Sequence, residues 1–412
     1  MSVTISSSFT MLSGAKMSDE EGFTVLGNAE CSEQNNEEKK KPYYFQLDVL
    51  KAIAISFVIM DHSLTWEIKG VIGSLFWERL AIPFFLIVMG FNMGLSFRYR
   101  ELNNLRELYA SQYFYRKVVR YVFPFLILYM TSILLGLYVG YLDSSIYLLL
   151  GYLPFWGPGN WFIPLLISSI LVFPVIYWAF TKQPILTMIL CFFSEIALQF
   201  IIYIGLPYPP DSVLEGFIVT AIRVNVLFFL PAIAIGLWLS KGHGLFEKRN
   251  RFIGVYAAIS IIFMLDYSTH FLQNISGVVG TTFTVINIIF IGDYTILFYG
   301  YAALIVLLLM NAISEKPEGV SQHFIQRVGQ ASYHIFLIQI LWMSIVYWNT
   351  SPDAIYYREI PEFAAIYGWT TPILYIPFYL INLTISLVGG LVWHEAEKRI
   401  TTKRNYGTII SN

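Results

Sequence analysis

Lys51, His62 and Asp48 carry the first chemical signal in this chain. They lie in segment 45–63, which is otherwise built largely of Ala, Ile, Val and Phe. On a helix, the 11 residues from Lys51 to His62 bring the two side chains within about 20° of each other, about 16 Å apart along the axis. Asp48 falls on the same stripe, about 40° from His62 and one turn from Lys51. Asp61, next to His62, is expected to point elsewhere. A neutral imidazole takes a proton from a hydroxyl near neutral pH, so His62 is a candidate general base. The plainer account is a structural histidine near a helix end and a lysine whose stem snorkels to the membrane surface. Alignment of all three on an apolar helix favours function, because ionisable groups inside a membrane are costly.

The elements that must position these residues follow from composition. The chain is 56% hydrophobic and 13% charged, against about 25% charged for a soluble domain, so it is expected to be an all-α integral membrane protein. The 33 Phe, 28 Tyr and 10 Trp suit helix ends at membrane interfaces. Spanning the bilayer takes about 20 apolar residues. Runs of that length predict about ten transmembrane helices, near 47–66, 74–97, 118–140, 160–180, 185–205, 217–239, 252–271, 282–310, 328–348 and 370–393. Segment 144–156 is short and holds Gly151 and Pro154, so it reads as re-entrant or interfacial; 282–310 is long enough to bend, tilt or unwind at Gly292. With ten spans and an inside N-terminus, 20 of the 26 basic residues fall on the inner side, which predicts both termini in the cytoplasm.

Residues 1–42, rich in Ser, Asn, Glu and Lys, read as a disordered cytoplasmic tail, 43–397 as the membrane domain, and 398–412 as a short basic cytoplasmic tail. The net charge of −1 gives no sign of a nucleic-acid partner. Cys31 and Cys191 define no disulfide framework, and His270, His334 and His394 have no metal-ligand spacing, so no metal is expected. No internal repeat is visible, which disfavours an inverted-repeat transporter.

The stretch Leu47-Asp48-x-Leu50-Lys51-Ala52-Ile53-Ala54, followed by His62, resembles the opening of the membrane-bound acyltransferase 3 family, with its Leu-Asp-x-Leu-Arg-Ala-x-Ala start and Arg-x10-His pair. His62 matches; Lys51 replaces the arginine. Further likeness runs in order along the chain. Pro83-Phe84-Phe85-Leu86-Ile87-Val88-Met89-Gly90-Phe91 is similar to the family's Phe-Phe-x-x-Ser-Gly-Phe, with Met89 where serine is usual. Arg116-Lys117-Val118-Val119-Arg120 to Pro124 resembles its basic entry to the third helix, and Trp161-Phe162 a later motif. Ser332-Tyr333-His334-Ile335-Phe336-Leu337-Ile338-Gln339 resembles Ser-Tyr-x-x-Tyr-Leu-x-His, with Gln339 in place of histidine.

The resemblance implies transfer of an acyl group from a cytoplasmic acyl-CoA, most often acetyl-CoA, to a hydroxyl of an extracytoplasmic glycan or lipid, in the plasma membrane of a prokaryote and with no permanently bound cofactor. It makes His62 catalytic. Lys51, Arg116, Lys117 and Arg120 become donor-binding groups that hold phosphates by charge-assisted hydrogen bonds, although Lys51 offers only a point charge where arginine would be bidentate. Positive-inside topology also accounts for the basic cluster. Asp48, Glu78, Arg79 and Trp161 are supporting candidates: Glu78 and Arg79 as an acceptor-side pair or an interfacial ion pair, Trp161 as a sugar platform or a belt anchor. Among the other buried charges, Arg223 is a candidate partner for Glu195 or Asp293. A secondary transporter or flippase, and an acyltransferase-like protein that binds without catalysis, are the competing classes.

Overall fold

A computed structural model describes residues 42–64, 66–140, 142, 145–155, 157–205, 212–275, 295–347 and 375–410, all within one compact unit covering residues 41–412. Residues 1–41 of the expected tail 1–42, Asp293 and the first part of segment 282–310 lie outside the described residues. The described residues form helices and turns with no strand. The main helices are α1 (Phe45–Ser63), α2 (Ala81–Tyr99), α3 (Ser111–Lys117, Val118–Val122 and Phe123–Val139 in one run), α4 (Phe162–Lys182), α5 (Pro184–Gly205), α6 (Val213–Arg223), α7 (Leu230–Ser240), α8 (Arg251–Ile275), α9 (Ile296–Ala312), α10 (Val320–Tyr347) and α11 (Tyr375–Ile410).

Among the described residues, six helices are long and apolar enough to cross a bilayer: Glu78–Tyr99, Leu105–Val139, Phe162–Lys182, Pro184–Ile202, Val320–Val346 and Ile376–Ile400. The pair Val213–Arg223 and Val226–Ser240, bent by 45°, makes a seventh if counted as one span. The expected ten thus meet six or seven by length and composition alone. α1 does not qualify because it carries Asp48, Lys51 and Asp61, and α9 has only 17 residues. Residues 146–150 form a single 3₁₀ turn. α11 continues to Ile410, through the segment expected to be a separate basic tail.

Between helices in lipid, association depends on close packing and hydrogen bonds rather than on expulsion of water. α2 and α7 achieve this through glycines: a Cβ on Gly90 would lie 2.1 Å from the Ile233 carbonyl oxygen, and one on Gly236 2.0 Å from that of Ile87. The two backbones touch where any side chain would hold them apart. Gly329 plays the same part between α10 and α1, with its notional Cβ 2.2 Å from the Asp48 carbonyl oxygen. The apolar stretch of Glu78–Tyr99 is 78% buried and that of Leu105–Val139 only 28%, which puts α2 at the centre and α3 at the periphery.

Polar contacts pin the inner helices at both ends. At one end Phe45 N–H donates to Glu315 O (2.9 Å) and Gln46 Nε2 to Ile313 O (3.0 Å). At the other, Trp342 Nε1 donates to Asn382 Oδ1 (2.9 Å) and Asn382 Nδ2 to Ser63 Oγ (3.0 Å). α1 is thereby fixed in depth against α10 and α11.

A basic cavity and the candidate active site

A cavity of about 700 Å³ opens among α1, α2, α3, α4, α10 and α11. Lys51, Arg100, Arg116, Lys117, Arg120 and Lys398 contribute six cationic side chains to its wall, with Glu397 the one carboxylate among the lining residues. The expected donor-binding set therefore does converge on one space. Residues 113, 116, 117, 120 and 121 recur at intervals of three and four, so one face of α3 supplies them. That face belongs to the helix itself: α3 starts at Ser111, and Val118–Val122 is a π-helical turn within it. Lys117 Nζ lies 5.4 Å from the Tyr121 ring centroid and 5.7 Å from that of Tyr113, and the Arg120 guanidinium carbon 5.4 Å from Tyr121. These cation–π contacts steady the cations while leaving their donors for a ligand.

Lys51 is held from below. Its ammonium is 2.6 Å from Asp48 Oδ1, the two side chains being 17% and 5% exposed. The other Asp48 oxygen accepts from the Tyr43 hydroxyl, which accepts in turn from Gln326 Nε2 at 2.8 Å. Asp48 is thus a positioning group that does not itself line the cavity. Burial, with the Arg116 charge second, pushes the Arg100 guanidinium below its usual range, as expected where like charges gather.

His62 is not among the lining residues. Its Nδ1 is 3.6 Å from Asp61 Oδ2, and Asp61 forms a buried ion pair with Lys69. Asp61 was expected to point away; at the last turn of α1 its carboxylate swings toward both neighbours. The opposite imidazole edge faces Gly159, whose φ of +85° permits a close turn: a Cβ there would be 3.8 Å from His62 Nε2 and 3.0 Å from Phe336 Cε2. His62 and Phe336 thus lie near the same point of the Gly159 turn, at the end of α1 away from Lys51.

The remaining expected residues lie apart from the cavity wall. Glu78 and Arg79 are buried in a 3₁₀ turn, with Arg79 5.5 Å from the Phe298 ring centroid. Trp161, expected as a sugar platform or a belt anchor, stacks on Phe229 at 5.8 Å and 22°. One oxygen of Glu195 accepts from Ile296 N–H at 2.6 Å and caps the start of α9. Among the described residues no three His, Cys, Asp or Glu side chains gather as metal ligands.

Arg100, His334, Glu397 and Lys398 also line the cavity. None was singled out for it from sequence. His334 Nε2 is 2.7 Å from Glu397 Oε2, and its ring centroid is 5.1 Å from that of His394. A lysine or arginine at a helix end reads as a topology signal, and nothing local in the sequence brings His334 and Glu397 together.

An acyltransferase domain model, that of the acyltransferase 3 family, matches residues 44–392. The chain belongs to the acyltransferase 3 family. Neither a curated protein nor a solved structure matches it. The family domain begins one residue before α1 and ends within α11, so it takes in every cavity-lining residue except His394, Glu397 and Lys398. As an acyltransferase 3 member with several long apolar helices, it is a multi-pass membrane protein.

Proposed function

We propose that this family member transfers an acyl group, acetyl in particular, from a cytoplasmic acyl-CoA to a hydroxyl of an extracytoplasmic glycan or lipid. In this reading the chain crosses the plasma membrane about ten times with both termini inside. The observation that carries the proposal is the polarity of one cavity, with six cations at one end and His62 just beyond the other. The phosphates of a coenzyme A thioester match the first end, and its neutral pantetheine arm matches the wall of Met89, Asn92, Met93 and Ser96 between.

The proposed step is general-base acyl transfer. Neutral His62 takes the proton of the acceptor hydroxyl as the oxygen attacks the thioester carbonyl. The tetrahedral intermediate collapses, the carbon–sulfur bond breaks, and the coenzyme A thiolate leaves and is protonated. The Asp61–Lys69 pair beside Nδ1 holds the imidazole in place, and binding both substrates around one fixed base removes the entropy cost of their encounter.

The test uses full-length protein in membranes of its source cells, supplied with acetyl-CoA labelled in the acetyl group. Label is expected in the glycan or lipid fraction, with His62→Ala lowering transfer at least 100-fold at equal expression. Retained transfer in His62→Ala would remove the histidine from the mechanism. Donor binding with no label transfer would make the protein a non-catalytic binder.

A further inference from the structure

The cavity changes character along its length. α2 lines it from Phe85 near its start to Arg100 just past its end, about 22 Å by helical rise. Three rings line the end away from the cations: Phe162 and Phe336 meet edge to face at 5.5 Å, and Phe85 and Phe162 at 6.1 Å. Phe162 and Phe336 are 6% and 4% exposed, whereas Phe85 is half-buried. Val88, Met89 and Leu166 complete this end, and the polar side chains Asn92 and Ser96 lie one and two turns farther toward the cations. A Cβ on Gly159 would meet both Phe336 Cε2 at 3.0 Å and His62 Nε2 at 3.8 Å, so the base and this ring lie close to one point of the turn.

We propose that Phe85, Phe162 and Phe336 determine donor specificity by stopping the acyl group, so that the protein accepts small, uncharged acyl chains of acetyl size. The inference rests on the acyltransferase reading. A thioester carbonyl that is to meet a nucleophile activated by His62 must come up to the rings. A methyl group beyond that carbonyl fits against an aromatic face, but each further methylene needs volume the rings occupy. One methylene in such a site is worth about 10- to 200-fold in kcat/KM, and close-packed aromatic walls yield only at a cost. A carboxylate at the end of the chain, as in a succinyl group, would lie among Phe, Val, Met and Leu with nothing to pair it. The donor's charge is accommodated at the far mouth and excluded here.

The experiment compares acetyl-, butyryl-, hexanoyl- and succinyl-CoA, each labelled in the acyl group, with full-length protein in source-cell membranes. Wild type is expected to use acetyl-CoA at least 100-fold better than butyryl-CoA, and not to use succinyl-CoA. Phe162→Ala and Phe85→Ala are each expected to raise the butyryl-to-acetyl ratio at least 10-fold. Phe85, with its half-buried ring, keeps the test valid if Phe162→Ala fails to fold. Equal use of acetyl and hexanoyl donors by wild type, or an unchanged ratio in both variants, would overturn the inference alone. Absence of transfer from every donor would overturn the acyltransferase reading beneath it.

Discussion

Replacing Lys51 by methionine separates what this lysine does for the fold from what it does for a ligand. Its ammonium neutralises Asp48, which is 5% exposed, and removing one member of a buried pair costs about 3–5 kcal/mol because the other charge is stranded. At 17% exposure Lys51 leaves some access for water, and the Tyr43 hydroxyl still donates to the carboxylate, so the low end, about 3 kcal/mol, is expected. The same substitution removes one cation from the cavity, and a charge-assisted contact to a phosphate is worth about 1.5–3 kcal/mol, or about 10- to 150-fold in Kd. Pairing the change with Asp48→Asn removes the stranded carboxylate. The double variant should recover most of the lost thermal stability in detergent, yet bind coenzyme A as poorly as Lys51→Met by isothermal titration. If donor affinity returned together with stability, Lys51 would be a structural ion-pair partner only, and the assignment of the cavity's inner cation would fail.

Other outcomes follow from the same geometry. Arg116 and Arg120 are exposed cations on the cavity wall, so coenzyme A affinity should fall steeply as salt rises from 50 to 500 mM, roughly a threefold shortening of the screening length; Arg116→Gln combined with Arg120→Gln should flatten that slope. Gly236→Val should abolish the monodisperse peak in size-exclusion chromatography, because its side chain would enter the Ile87 carbonyl, whereas Gly254→Ala, with nothing within 4 Å, should leave the peak intact. His243, wedged against Tyr44 and Phe91, is pushed below its ordinary range by burial, which outweighs the pull of Glu315 and Glu247. A base depressed in the folded state supports stability above its unfolded value of about 6.5 and loses that support as pH falls through the folded one. Melting temperature should therefore drop between pH 7 and 5, and less so in His243→Gln.

What the sequence made legible was local and periodic. The stripe through Asp48, Lys51 and His62 follows from helical arithmetic within one span, and the cluster at 116–120 from adjacent charges where an apolar run begins. The site's other wall was out of reach. Glu397 meets His334 across 63 positions of chain, a distance no period encodes, and α11 runs past the point where hydropathy ends the span. The phenylalanines that line the cavity were hidden for a different reason: in a chain with 33 of them, residue type cannot tell a lipid-facing ring from one on a cavity wall. Trp161 is ambiguous in the same way, because a tryptophan that packs on a neighbouring ring such as Phe229 and one that stacks on a sugar are identical as letters. Gln339 remains distinctive: it is fully buried, and neither atom of its amide has a partner among the described residues.

The π-helical turn at Val118–Val122 gives α3 a mutational hinge. Such a turn holds one residue more than the α-helical ladder needs, so deleting one of its residues would wind it back to α geometry and leave both flanks near their present rotation, whereas the same loss in a regular helix would turn one flank by about 100° against the other. Arg116 and Lys117 would stay on the cavity side, and the apolar stretch 123–139 would keep its contacts. A one-codon deletion inside a spanning helix usually scrambles the register of one half; here it could be absorbed. Residues 118–122 are therefore where α3 tolerates a change of length, while the basic and apolar stretches on either side vary by exchange of side chains.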